Sequence, residues 1–380
     1  MKIKKLSGKR TGEEINVKYI LDLRDFPGDV NEKKVIHDIN IILDDPDISI
    51  VCETMGGVRP AYQFTKDILL KGKSVCTSNK ELVANHAPEL LSIAKENKCN
   101  YMFEASVGGG IPIIRPMNTS LASENIERIM GILNGTTNYI LSKMSKEGVP
   151  FEDVLKEAQD MGYAERNPEA DIEGYDACRK IAILTSLMTG KNVRFEDIHT
   201  EGISNISTVD FEYAKVMKKA IKLLAISENT IEGTKAIVAP FLIGEEHPLN
   251  GVNGVFNGIY VTGNMLGDVM FYGQGAGKLA TASAVISDVI ECARNQGKTL
   301  SCIWDADNVE LNDYKECKRK FFVRVSISDR GCILNSFGQV REIRIMDEEF
   351  AFISDMMTEK EFHSRLSGIT NVISVIRVAD

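Results

Sequence analysis

The sequence predicts an α/β protein in three parts: an incomplete doubly wound parallel sheet, a mixed α/β domain and a C-terminal ferredoxin-like unit. Three observations carry this expectation. Residues 15–106 alternate short β-branched runs with helical patterns, as a parallel sheet covered by helices requires. Residues 107–276 lose that regular alternation and mix helices with longer strands. From about 318 to 380 the order is strand, helix, strand, strand, helix, strand, which makes a ferredoxin-like unit.

In chain order, INVKYILDL (15–23), a short KVIHD (34–38), DISIVCET (47–54), KSVCTS (73–78) and YMFEAS (101–106) read as strands. The segments 59–72 and 80–97 read as the helices between them. Helices are then expected over 111–123, 137–148 and 150–162, and strands over 234–243 and 254–263. A glycine-rich turn at 273–277 precedes a helix over 280–296. In the last part, strands fall at 321–329, near VREIRI (340–345), at FAFIS (350–354) and at 372–378. A helix-like segment follows Gly331, and EKEFHSRLSG (359–368) is the second helix. This last part reads as separate from the rest.

Composition narrows the function. A chain of 380 residues, 43% hydrophobic and 26% charged, has the makeup of a soluble protein of two or three domains. A net charge of −9 argues against nucleic-acid or anionic-membrane partners, which attract basic surfaces. The eight cysteines form no CxxC pair, so neither a zinc site nor a disulfide framework is indicated, and reduced thiols in a cytoplasm fit. No apolar run reaches the roughly 18 residues of a membrane span, and no apolar signal segment follows the basic start. The five histidines stand apart from one another and from the acidic cluster described next, which excludes a histidine-based triad.

The richest stretch is GYAERNPEADIEGYDACRK, residues 162–180, with its acids and a lysine around one turn and one helix start. Pro168 and Gly174 end the preceding structure, and the apolar run from Ile181 to Met188 opens a buried helix. The i, i+4 spacing of Asp176 and Lys180 puts a carboxylate beside an ammonium on one helical face, which is acid–base hardware. An ordinary surface salt bridge has the same spacing. Lys80 opens a helix at the carboxyl end of a parallel strand, where ligands collect in such sheets. Thr54-Met55-Gly56-Gly57 reads either as a wall for a nicotinamide ribose or as a plain β–α turn. Asn134-Gly135-Thr136-Thr137-Asn138 supplies helix N-capping groups and is placed to touch substrate.

GYAERNPEADIEGYDACRK resembles the signature of the homoserine dehydrogenase family. TSNKELVA, EASVGGGIPIIRP, RIMGILNGTTNYIL and MFYGQGAGKLATASAV follow the same family pattern in the same order, over roughly residues 10 to 300. The resemblance implies NAD(P)H-dependent interconversion of aspartate semialdehyde and homoserine in threonine, methionine and isoleucine biosynthesis. It implies Lys180 and Asp176 as the catalytic pair, and Glu165, Asp171, Tyr163 and Lys80 as substrate-binding residues. Lys80, Thr54, Gly56 and Gly277 would meet the cofactor, and the backbone oxygens of Glu104, Val107, Gly109 and Ile111 would hold a sodium ion. Asp22 suits a ribose hydroxyl and Arg24 a 2′-phosphate, which leaves NAD and NADP both open from the residues; family habit favours NADP.

On this reading residues 1–106, with about 277–298, make a Rossmann-type dinucleotide-binding domain, 107–276 the catalytic and substrate domain, and 318–380 an ACT-like regulatory domain. A homo-oligomer is expected, with threonine as effector near Asp329-Arg330-Gly331. One part of the family pattern is missing: the first strand and its GxGxxG loop, whose backbone would meet the cofactor pyrophosphate. Residues 1–14 resemble the end of the helix that follows that glycine loop and the loop after that helix, so most of the helix is expected to be missing as well. The absent strand belongs between strands 2 and 4 of the sheet, so cofactor affinity of the chain as given is expected to be low. A truncated gene model of the enzyme and a cofactor-deficient regulatory or oligomer-forming homologue both stay open, as does a related dehydrogenase with another aldehyde substrate.

Overall fold

The computed structural model describes residues 11, 12 and 14–379, so most of the 1–14 segment read as a helix end lies outside the described residues. Strands β1 (Ile20–Leu21) and β2 (Val35–Ile36) pair in parallel as a two-stranded sheet of their own. β3 (Ile50–Glu53), β4 (Ser74–Thr77) and β5 (Tyr101–Met102) form a second parallel sheet in that order, with helices α1 (Ala61–Leu70) and α2 (Lys80–Glu96) between them. No hydrogen-bonded strand joins the two sheets among the described residues. The break explains why the strand expected over 15–23 shrinks to two residues. A strand persists only where a partner takes its amides, and β1 has β2 alone, through Ile20 opposite Val35 and Leu21 opposite Ile36. Beyond this pairing Leu23 and Val30 lie almost wholly in solvent, 93% and 95% exposed.

The helix expected over 111–123 is also shorter, spanning Ile114–Asn118. The buried Glu104 carboxylate fixes its start by accepting the N–H groups of Ile113, Ile114 and Arg115. Its end is set when the Leu121 N–H turns back to the Pro116 carbonyl at 2.8 Å.

Next come β6 (Ile126–Ile132), α3 (Gly135–Glu147), α4 (Phe151–Asp160), α5 (Tyr175–Thr189), α6 (Thr208–Val216), β7 (Lys219–Thr230), β8 (Gly233–Gly244), β9 (Phe256–Gly263) and β10 (Gly267–Gln274). Helix α7 (Lys278–Arg294) then returns to the parallel sheet and packs on β3 and β4. There Cys292 meets Cys76 with sulfurs 3.7 Å apart, and all eight cysteines are free thiols. The last part is β11 (Lys318–Ser326), α8 (Arg330–Phe337), β12 (Arg341–Ile343), β13 (Glu349–Ile353), α9 (Glu359–Leu366) and β14 (Val372–Ala379).

The last part is not separate from the body. One eleven-stranded sheet runs β10-β9-β6-β7-β8-β14-β11-β13-β12, with short strands His199–Thr200 on β8 and Met357–Thr358 on β11. Within it, β14-β11-β13-β12 is the ferredoxin-like order the sequence expected, but β14 also pairs in parallel with β8. The alternation of β11 explains the join. Phe321, Val323 and Val325 face one way, into a cluster with Ile333 and Phe337 of α8 and Phe362 of α9. Phe322 and Arg324 face the other way, against α6, where Phe322 meets the Tyr213 ring at 5.5 Å and Arg324 pairs with buried Asp210 at 2.7 Å. Both faces are buried, which leaves the unit no free side on which to separate.

Candidate functional site

The site forms where the end of β4 meets the start of α5. Asn79 caps α2 by accepting the Leu82 N–H and also donates to the Gly57 carbonyl at 2.6 Å, so the loops after β3 and β4 are clamped together. Lys80 is thereby projected from the first position of α2. Gly174, with φ +81°, turns the chain into α5 in a left-handed conformation that favours glycine. The next turn carries Asp176, and Lys180 lies one turn on, both buried because the surrounding helix is apolar from Ile181 to Leu184.

Asp176 is held between two ammonium groups. Lys180 Nζ donates to Asp176 Oδ2 at 2.7 Å and to the Leu133 carbonyl at 2.7 Å, while Lys80 Nζ, from the other sheet, pairs with Asp176 Oδ1. Burial alone would raise the pKa of this carboxyl, but the adjacent Lys180 and Lys80 charges outweigh it and hold Asp176 well below the usual carboxylate range. The ordinary surface pair is therefore excluded: side-chain exposure is 3% for Asp176 and 11% for Lys180, against 39% for Lys80.

Asn134 completes the cluster. Its Nδ2 donates to Asp171 Oδ1 at 2.7 Å and to Asp176 Oδ2 at 2.8 Å, and its Oδ1 accepts the Thr137 N–H as the cap of α3. Burial pushes Asp171 up from its ordinary value, with the Asn134 bond opposing. Sequence reasoning saw the cap and missed the bridge; no local pattern signals it, because Asp171 and Asp176 reach Asn134 only through tertiary packing. The Leu133 carbonyl, the second acceptor for Lys180, was missed for the same reason.

The other expected site residues divide. Glu165 is exposed on the loop before the short helix Glu169–Ile172, and its carboxylate meets no partner among the described residues. Tyr163 has its N–H bonded to Ala158, and its carbonyl accepts the Thr136 hydroxyl at 2.7 Å, which leaves one lone pair for a ligand. Thr54 and Gly56 are exposed just beyond β3. Gly277, with φ +118° and open space around it, leads into α7. Asp22 is engaged by its neighbour Arg24 through the guanidinium and the backbone N–H, which holds its carboxyl down at about 2.

The turn from Glu104 to Ile111 is packed rather than loose. A Cβ on Gly109 would lie 2.3 Å from the Gly275 carbonyl oxygen, so glycine at 109 is what lets this turn pass the 273–277 turn. Asp288 of α7 accepts the Glu104 N–H at 3.0 Å and pairs with Arg115, which ties the turn to α7. No described hydrogen bond ends on the carbonyl oxygens of Glu104, Val107, Gly109 or Ile111. Among the described residues no cluster of His, Cys, Asp and Glu is arranged to hold a metal ion, and no helix is long and apolar enough to cross a membrane.

Residues 112–290 match the family model described as homoserine dehydrogenase, and residues 3–104 match the homoserine dehydrogenase NAD binding domain. The homoserine dehydrogenase of Synechocystis is 47% identical over 294 residues, which cover 76% of this chain and 66% of that protein. The chain thus spans just under two thirds of that relative. A homoserine dehydrogenase crystal structure from Thiobacillus denitrificans superposes with a TM-score of 0.89 at 31% identity, covering 99% of this chain and 93% of the other. A hyperthermophilic archaeal homoserine dehydrogenase superposes with a TM-score of 0.57 at 31% identity, covering 67% of this chain and 74% of the other.

Proposed function

The chain belongs to the homoserine dehydrogenase family, and from that premise we propose that it interconverts L-aspartate 4-semialdehyde and L-homoserine. The observation that carries the reading is the buried Asp176 carboxylate that gathers Lys80 and Lys180 from two parts of the fold. An ammonium has three N–H bonds, and Lys180 spends one on Asp176 and one on the Leu133 carbonyl. The third serves the substrate oxygen. When the aldehyde is reduced, Lys180 gives that oxygen its proton and is left as a neutral amine; in the reverse direction it takes the hydroxyl proton. Asp176 orients the ammonium and stabilises it. Lys80 holds the substrate and the nicotinamide end, and Asp171, with Glu165 on the loop before it, receives the substrate α-ammonium.

A nicotinamide cofactor, when bound, supplies or accepts the hydride. Lys80, Thr54 and Gly56 fit its reactive end, because they stand together at the carboxyl ends of β3 and β4, and Gly277 fits its phosphates at the start of α7. NADP is the preferred form on this reading; the archaeal relative is in complex with NADPH. The oxygen-rich turn 104–111 fits a hard monovalent cation such as sodium, because its four carbonyls have no internal donors.

The test is semialdehyde-dependent oxidation of NADPH by the protein. Glu165→Gln is expected to raise the substrate KM by roughly 10- to 100-fold, the value of one charge-assisted hydrogen bond, with little change in the KM for NADPH. An effect confined to the cofactor KM would contradict the role given to Glu165. Asn134→Ser, which keeps a helix cap but removes the amide bridge, is expected to lower kcat/KM by at least about tenfold with little change in melting temperature. A loss of stability without loss of kcat/KM would reduce Asn134 to a cap.

A further inference from the structure

One well-formed cavity among the described residues lies away from the Lys–Asp cluster. About 630 Å³ in volume, it lies behind α5, enclosed by Arg179 and its neighbours, the segment 195–200, Ala236 of β8 and the segment 311–314 that leads into β11. Of α5, Tyr175, Cys178 and Arg179 line the cavity, whereas Asp176 and Lys180 do not. The volume falls in the range of about 300–1,000 Å³ typical of small-molecule sites.

Both signs of charge line this space. The Arg179 guanidinium lies over the Phe195 ring at 5.6 Å and meets Glu81 only at 3.5 Å. Glu196 and Asp197 are exposed and lie 3.9 Å from Arg194. Charge-assisted hydrogen bonds run at about 2.7–2.9 Å, so these pairs are loose and a ligand can replace them with shorter bonds. Phe195 and the stacked pair of His199 and Tyr314, with centroids 3.8 Å apart, add aromatic surface.

We propose that this cavity binds a zwitterionic α-amino acid with an aromatic or large apolar side chain. Its carboxylate pairs with Arg179, its ammonium with Glu196 or Asp197, and its side chain lies against Phe195 and Tyr314. A plain amine would face the charge of Arg179, and a plain acid would face the carboxylates of Glu196, Asp197 and Asp313; only a ligand with both charges satisfies both walls. Binding has a route to the active site. The present partner of Arg179, Glu81, directly follows Lys80, and Lys80 is paired with Asp176 across the fold. Drawing Arg179 onto a ligand releases Glu81 and loosens the start of α2 that presents Lys80. This coupling rests on the dehydrogenase reading, whereas the binding itself does not.

Titration calorimetry of the whole protein with L-phenylalanine, phenethylamine and 3-phenylpropionate tests the binding without any assay of turnover. L-Phenylalanine is expected to bind with a Kd of about 1 mM or tighter, and each analogue, lacking one charge, at least about tenfold more weakly. Arg179→Gln, and Glu196→Gln with Asp197→Asn, are each expected to weaken L-phenylalanine by at least about tenfold with melting curves unchanged. Three results would overturn the proposal: no heat with L-phenylalanine up to about 10 mM, equal affinity for all three probes, or binding unaffected by Arg179→Gln. Should Asp171→Asn abolish binding while Arg179→Gln leaves it intact, the ligand sits in the active site and the cavity assignment fails.

Discussion

Lys180→Ala is expected to lower kcat by roughly 10²–10⁴, the usual contribution of a positioned general acid, with little change in the affinity for NADPH. The geometry supports so large an effect. Lys180 is fixed from two sides, by Asp176 and by the Leu133 carbonyl, and no other described lysine is bonded to both. Lys80 cannot stand in, because it reaches Asp176 from the opposite oxygen and is anchored on another helix. Truncation also leaves Asp176 with one cation instead of two, so the melting temperature should be measured beside turnover. Stopped-flow measurement of a single turnover separates the two: a slowed hydride step in folded protein supports the assignment. Unchanged turnover would remove Lys180 from the mechanism.

Arg324→Ala is expected to cost about 3–5 kcal/mol of stability, the penalty for stripping the partner from a buried charge. Arg324 is 2% exposed and ties together three elements: it meets Asp210 of α6 at 2.7 Å, Ser207 at 3.1 Å, and Glu349 of β13 with two bonds of 2.8 Å. Asp210 is wholly buried, so without the guanidinium its charge faces only the capping groups of Ser207. Urea unfolding should show the loss, and adding Asp210→Asn to the Ala variant should recover part of it. A change under about 1 kcal/mol would mean that water or a rearranged side chain solvates Asp210, and the join between the C-terminal unit and the body would have to be sought elsewhere.

Most of the fold was legible in the sequence because its elements are set by local pattern. The alternating runs at β3 and β4 and the long helices α2, α5 and α7 lie where their apolar periodicity puts them, whereas β11 spans Lys318–Ser326 instead of 321–329 and the long β7 was not read as a strand. The failures share one cause, which is tertiary. Residues 15–23 have strand chemistry but only one neighbour to pair with, and residues 111–123 have helical pattern but an end set by Pro116 and a start set by the distant Glu104 carboxylate. Likewise the spacing of Asp176 and Lys180 was readable, while the second cation on Asp176 and the amide bridge from Asn134 were not. Lys80 lies 96 residues from Asp176 and Asn134 lies 42 residues from it, beyond any local period. The C-terminal unit was legible in its strand order, but its parallel seam with β8 was not, since nothing in β14 names its second partner.

That seam bears on how the chain can be made. One edge of β8 is shared: His199 and Thr200 pair with Ile237 and Val238, and further along Arg377 and Val378 pair with Phe241 and Leu242. The first half of the edge can be satisfied as soon as β8 emerges, whereas the second half must wait for the whole stretch from Phe241 to Arg377. Parallel pairing across so long a separation is slow, because the intervening loop must close before any bond rewards it. During synthesis at about 5–20 residues per second, the apolar edge at Phe241–Ile243 therefore stays open for seconds and is a template for strands of other chains. Expression at lower temperature, or with chaperones that shield such edges, should raise the soluble yield of this protein more than that of a variant in which β8 is capped earlier in the chain.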